Sequence, residues 1–292
     1  MMRDRRRAGS IAAALFVAAC FVPHPGRDAA AQQTAPAGRF GLEGTRTQGG
    51  VLIGHAPPGT TRLTLDGDAI AVAPDGTFLI AFDRDAKPSA VLAATLADGA
   101  EVREALTIAP RAWNISRLDT LPKIPVPQPE FERLRPAELA QISAARALVT
   151  DAAGWRQPFG WPVTGRISTL FGSQRIYKNG EAGSYHSGID IARPTGTIVV
   201  APADGVVILA ADHPFTLEGN LLMIDHGMGL NSAFLHLSRI DVRAGDHVRK
   251  GQPIGAVGMS GRATGPHLHW SLRWRAARID PLLVAGPMPA SR

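Results

Sequence analysis

In the stretch TGPHLHWSLRW, Thr264 to Trp274, side chains that alternate across a strand place Leu268, Trp270, Leu272 and Trp274 on one face. His267, His269, Ser271 and Arg273 then share the other. Two imidazoles spaced this way can bind a metal or move protons near neutral pH. A second segment, GSYHSGIDIARPTG, sets His186 and Asp190 four apart. Gly188, Pro194 and Gly196 argue against a helix there, so the segment reads as a loop entering a strand. Asp190 lies between Ile189 and Ile191 and is expected to point away from their face; a buried carboxylate is costly unless paired or metal-bound. A third segment, NSAFLHLSRI, supplies His236, whose neighbours Leu235 and Leu237 are expected to turn together toward a core.

His186, Asp190 and one imidazole of the His267/His269 pair offer two nitrogens and a carboxylate oxygen. That is a catalytic zinc set, with three protein ligands and a fourth position for water. Calcium and magnesium prefer all-oxygen sites, while iron or copper stays open on ligand type alone. The chain has no HExxH glutamate. An imidazole can instead act as base, and a second, donating one can steady an oxyanion.

The order HxxxD, a strand ending LHLS, then GQPIGAVGMSGRATGPHLHW resembles the lysostaphin/LytM-type zinc metallopeptidases, which cleave peptide cross-links in bacterial peptidoglycan. The resemblance runs from about Trp161 to Leu283 and includes FGSQR, HSGIDIARPTGT, APADGVV, IDHGMG and VRKGQPIG. It implies a zinc ion held by His186, Asp190 and His269, with His267 as general base and His236 as stabiliser. The choice between His267 and His269 comes from the family pattern. The resemblance further implies a peptidoglycan endopeptidase. The rival it brings is a silent regulator that activates cell-wall amidases, although those relatives lack part of the metal set and this chain keeps all five positions. Related enzymes use a tyrosine near the first ligand, and the choice between Tyr177 and Tyr185 for that position stays open. Leu235 stands where the family usually has a small residue before the third-motif histidine.

Other conspicuous residues read blandly. His226, before Gly227 at a turn, reads as structural, His247 as a solvated hairpin residue and His213 as part of a loop rimming the groove. Trp270 and Trp274 lie opposite the histidines and belong to the core. The glycines of GMSGRATG lead into a strand, so they do not form a phosphate-cradling loop before a helix.

The elements that must position these residues are mainly β. Between Gly50 and Ala109, short alternating runs are punctuated by Asp66-Gly67, Asp75-Gly76 and Asp98-Gly99, the pairs tight hairpins favour. The expected organisation is a leader over 1–31, a small antiparallel β domain over 32–118, a connector with one helix over 119–153 and an antiparallel β-sheet peptidase domain over 154–292. The connector DTLPKIPVPQP is extended by its prolines, and the helix is expected from about Pro136 to Ala152. As prosegments do in some similar enzymes, the preceding β domain and connector are expected to cover the groove and keep the chain latent.

The leader joins Arg3, Arg5, Arg6 and Arg7 to the apolar run IAAALFVAACFV, too short to span a bilayer but suited to export. Two processing routes stay open: cleavage after Ala29–Ala31, or lipidation of Cys20, the chain's one cysteine, which would anchor it to a membrane. Localisation is expected in the periplasm or cell envelope. The leader's first ten residues hold half of the formal net charge of +6, and what remains is too weak to argue for nucleic acid.

Overall fold

The computed structural model describes residues 38–118 and 129–289. The leader, with Ala29–Ala31 and Cys20, and most of the proline-rich connector lie outside the described residues. The described residues cluster as one compact unit. Among the described residues no helix is long and apolar enough to cross a membrane.

The chain opens with β1 (Glu43–Gly44), β2 (Val51–His55), β3 (Thr60–Leu65), β4 (Asp68–Ile70), β5 (Thr77–Ala81), β6 (Ser89–Leu96) and β7 (Glu101–Thr107). They form two antiparallel sheets, ordered β1-β2-β5 and β4-β3-β6-β7. The β3–β4 hairpin turns on Asp66 and Gly67, both at positive φ (51° and 90°), the backbone that an Asp-Gly pair accommodates most readily.

After β8 (Ile115–Leu118) comes α1 (Pro129–Ala147), followed by the second set: β9 (Arg166–Thr169), β10 (Gln174–Tyr177), β11 (Ile189–Ala192), β12 (Ile198–Val200), β13 (Gly205–Ala210), β14 (Asn220–Asp225) and β15 (Leu230–Leu237). The remainder are β16 (Arg239–Ile240), β17 (His247–Val248), β18 (Pro253–Ala256), β19 (His267–Trp274), β20 (Ala277–Ile279) and the short α2 (Pro281–Ala285). An eight-stranded antiparallel sheet runs β17-β13-β14-β15-β19-β11-β9, with β20 continuing the β11 edge of β19. Strands β12, β18 and β16 form a smaller sheet. Among the described residues, β8 pairs in parallel with β10 and stitches the first set of strands to the second.

One apolar cluster runs from Phe40 and Phe78 through Phe171, Ile189, Ile191, Leu268 and Trp270 to Ile279, so the two modules share a core. Polar straps reinforce the seam. Arg84 donates to the Gly172 carbonyl (3.1 Å) and to Gln174 (3.0 Å), and Arg111 pairs with Asp280 (2.7 Å), whose side chain is 1% exposed. Removing the partner of so buried a carboxylate should cost about 3 kcal/mol. Arg111→Ala is therefore expected to lower the urea midpoint markedly, and a shift within about 0.5 kcal/mol would contradict the role given to this pair.

The helix differs from expectation at both ends. It begins seven residues before Pro136 and contains it. The carbonyl of Glu132, which the missing N–H of Pro136 would have served, belongs to an exposed residue and can be hydrated. The helix stops at Ala147, five residues short of the expected end, leaving Leu148 (55% exposed) and Val149 (95%) outside it. Its buried Ile142 and Ala145 pack with Ile208, Phe215, Leu221, Met223 and Ala233. Ala233 pairs with Ser271 and Leu235 with His269, so α1 covers part of the sheet face that also carries the histidines.

Candidate active site

The register of three strands brings the site together. Asp190 on β11 stands opposite His269 on β19, and residues directly opposed in an antiparallel pair project to the same face. Ile189 and Ile191, both fully buried, occupy the other face, as their alternation with Asp190 requires. Asp190 Oδ1 lies 2.9 Å from His269 Nδ1 and 3.0 Å from His186 Nε2, and the two ring nitrogens are 3.0 Å apart. These three residues each offer a donor atom, all within 4.8 Å of one another. His267 sits further out, its Nε2 at 3.7 Å from Asp190 Oδ1. His269, rather than its neighbour two residues back, is therefore the imidazole grouped with His186 and Asp190.

His186 enters from the loop before β11, which β-like hydrogen bonds hold in place: its N–H donates to the Ser173 carbonyl (2.8 Å), and its own carbonyl accepts from Gly172 N (2.9 Å). Its Nδ1 lies 3.2 Å from the Leu170 carbonyl, an arrangement that, with Nδ1 protonated, frees Nε2 to ligate. Burial works against the Asp190 charge, but the hydrogen bonds from His186 and then His269 outweigh it and hold the carboxyl well below its usual range. Burial pushes the His269 ring down, toward the neutral form a metal needs. Two imidazole nitrogens and an ionised carboxylate, partly buried and 9–19% exposed at the side chains, fit a divalent metal.

His236 reaches the cluster through a fold irregularity. Between the pairs Leu222–Phe234 and Asn220–Leu237, β14 holds one residue and β15 holds two, Leu235 and His236. At this bulge His236 takes φ +64°, uncommon for a residue with a side chain and typical of bulges that re-aim a side chain near functional sites. Leu235 and Leu237 were expected to share a face. Instead Leu237 enters the main core while Leu235 packs with the cluster under α1, because the extra residue breaks the alternation. The His236 ring centroid is 4.8 Å from that of His267 and 6.3 Å from that of His269.

Both outer imidazoles have Nδ1 tied to a backbone carbonyl, His236 to Ser260 (2.8 Å) and His267 to Gly265 (2.8 Å). With Nδ1 donating, a neutral ring keeps a lone pair at Nε2. Burial pushes His236 down to about 4, so it rests neutral at pH 7.

The remaining candidates lie elsewhere. His226 is fully buried, with ring nitrogens 2.8 Å from the Asp204 carbonyl and 2.8 Å from Ser232 Oγ, and burial pushes it down to about 4. It is a structural histidine. His247 and His213 are exposed, and Trp270 and Trp274 are core. The Tyr185 hydroxyl donates to Asp83 (2.9 Å) in the first module, and burial pushes it up to about 12. Tyr177 caps the β10 turn through its backbone, its N–H donating to the Glu181 carbonyl.

Two contributors escape sequence reasoning. Ser260 positions His236 through its carbonyl, while its hydroxyl accepts from Asn220 N (2.9 Å) and donates to the Leu237 carbonyl (2.8 Å). Gly188 lies against β19, where a Cβ would overlap the Trp270 carbonyl and sit 2.9 Å from His269 Nε2. The glycines flanking both motifs were the available signal, but only the packing says what they serve. Gly188→Ala is expected to weaken metal binding about tenfold or more and to cost about 1–3 kcal/mol in stability. Metal titration beside urea unfolding checks this, and unchanged affinity would contradict it.

Comparison with known proteins agrees with this architecture. Residues 184–281 match the model of Peptidase family M23. Peptidoglycan DD-endopeptidase ShyA of Vibrio cholerae is 40% identical over 126 residues, covering 43% of this chain and 29% of that protein. DD-carboxypeptidase/endopeptidase Mpg of Neisseria meningitidis serogroup B is 41% identical over 124 residues, covering 42% of this chain and 28% of its own. The chain thus spans under a third of the length of these curated relatives. A crystal structure of a peptidase M23 from Pseudomonas aeruginosa superposes with a TM-score of 0.63 at 29% identity, over 83% of this chain and 96% of that one. The similarity therefore reaches beyond the 184–281 segment into the first module. With its ordered histidine motifs on an antiparallel β scaffold, the segment 184–281 is thus similar to Peptidase family M23.

Proposed function

We propose that the chain is a zinc-dependent endopeptidase that hydrolyses amide bonds in the peptide part of peptidoglycan, acting in the cell envelope after export. The observation that carries this reading is the convergence of His186, Asp190 and His269 into one donor group with His236 and His267 beside it. The names of the relatives point to the same substrate.

A bound zinc ion supplies Lewis acidity, polarising a carbonyl oxygen and making water nucleophilic near neutral pH. The protein does the rest. His186, Asp190 and His269 would hold the ion. His267, its Nδ1 tied to Gly265, would accept the water's proton at Nε2 and pass it to the leaving amine. His236 would steady the charge that develops on the carbonyl oxygen. It rests neutral with Nδ1 on the Ser260 carbonyl, so to donate from Nε2 it would first take a proton from solvent. The peptide would lie extended along the sheet, where Leu235, paired opposite His269, would narrow the cleft.

Purified mature protein carrying one zinc per chain should release new amino groups from peptidoglycan, and removing zinc with a chelator should stop the release. Zinc-loaded protein that frees none would overturn the reading.

A further inference from the structure

The histidine strand does not end at the proposed metal site. His267, His269, Ser271 and Arg273 share one face of β19, and the strand's rise sets Arg273 about 13 Å from His269, roughly four residues of an extended peptide. Arg278 on β20 stands directly opposite Arg273 and projects to the same side. A third guanidinium arrives from α1: Arg146 follows Ala145, which packs with Ala233, the partner of Ser271 across the β15–β19 pair. Like charges directly opposed across strands destabilise a sheet, so three arginines gathered here need a reason.

Asp83 and Glu218 act on Arg273 and Arg146 only through space, without a direct pair. Several other half-buried or buried arginines have carboxylates in contact, such as Arg84 with Asp85, Arg111 with Asp280, and Arg135 with Glu138 and Glu218. Among the described residues none of Arg146, Arg273 and Arg278 has a carboxylate within 4.0 Å of its guanidinium. The Arg146 Nε is buried with no hydrogen-bond partner among them. Arg273 Nε donates to the Arg275 carbonyl (2.7 Å), and Arg278 stacks on the Tyr185 ring (4.9 Å). Asp83 of the first module accepts from the Tyr185 hydroxyl and the Arg278 backbone N–H. Burial, then repulsion from Arg273, pulls Arg146 down to about 10. Burial, then Arg278, pulls Arg273 down as well. All three are half-buried, and each keeps N–H donors for an incoming acceptor.

We propose that Arg146, Arg273 and Arg278 form a carboxylate-binding subsite at the far end of the histidine strand, which reads a free carboxylate of the peptide substrate some residues from the bond that is cut. This rests on the peptidase reading above and adds a specificity to it. Planar guanidiniums suit a carboxylate, which accepts paired N–H donors, and an anion held between them relieves their mutual repulsion. The chain would then prefer acidic peptides over amidated ones of the same length.

The test uses the full mature protein, zinc-loaded, with cross-linked stem peptides in four forms: free acid, fully amidated, amidated at the C-terminus alone, and amidated at the internal carboxylate alone. The wild type is expected to cleave the free acid with a kcat/KM about tenfold or more above that of the amide, mainly through KM. The singly amidated forms tell which carboxylate is read. R273Q/R278Q is expected to lose this preference, and R273K/R278K to recover part of it. Equal wild-type rates on acid and amide, or equal losses on both in R273Q/R278Q, would overturn the subsite. If neither peptide is cut, the hydrolase reading fails separately, and calorimetric titration of the same peptides onto the wild type decides: tighter binding of the acid supports the subsite, and equal binding overturns it.

Discussion

His267→Ala should lower kcat/KM on a defined muropeptide by about 100- to 10,000-fold while leaving one zinc bound per chain. The expectation follows from where this ring stands. Its Nε2 is 3.7 Å from Asp190 Oδ1, against 2.9 Å for His269 Nδ1, so it borders the donor group without completing it. The Gly265 carbonyl fixes its tautomer and leaves Nε2 for a proton in transit. Deleting the ring removes an acceptor but no proposed ligand. His236→Ala should behave alike, and because the two rings act as a unit the double variant should lose little more than either single one. Turnover measured with metal content separates the roles. A His267→Ala protein that loses its zinc, or one that keeps activity within about threefold, would contradict the assignment.

Asp190→Asn should reduce zinc affinity by more than about 100-fold and activity in proportion, since it removes a charged ligand, whereas loss of an outer partner alone costs about 10- to 100-fold. The amide keeps the shape of the side chain and its place between Ile189 and Ile191, so the fold should survive. What disappears is the negative charge that draws His186 and His269 together against the cost of burying it. Competition with a chromogenic chelator measures the change, and affinity within about tenfold of wild type would contradict the role given to the carboxylate.

The parts of this molecule set by short-range periodicity are legible in its sequence. Alternation in HLHWSLRW separates buried Leu268, Trp270 and Leu272 from the two imidazoles, and the isoleucines flanking Asp190 turn its carboxylate away from the core. Asp66-Gly67 makes the hairpin its dihedral freedom favours. What was not legible depends on partners distant in sequence. The bulge at Leu235 and His236 comes from the pairing of β15 with β14, which no local pattern in NSAFLHLSRI encodes. The helix runs through Pro136 because its first turns face solvent, a matter of where the helix docks. The grouping of His269 rather than His267 with His186 comes from β11–β19 register, and period-two reasoning alone leaves the two equivalent. Ser260 and Gly188 matter through a carbonyl and an absent side chain, neither of which residue type announces.

The measurement that bears most directly on the metal site is anomalous diffraction at the zinc edge from crystals of the zinc-loaded protein. The expected result is one strong peak bounded by His186 Nε2, the Asp190 carboxylate and His269 Nδ1, with His236 and His267 beside it but not bound. A peak ligated by His267 instead of His269, or one found away from Asp190, would contradict the account.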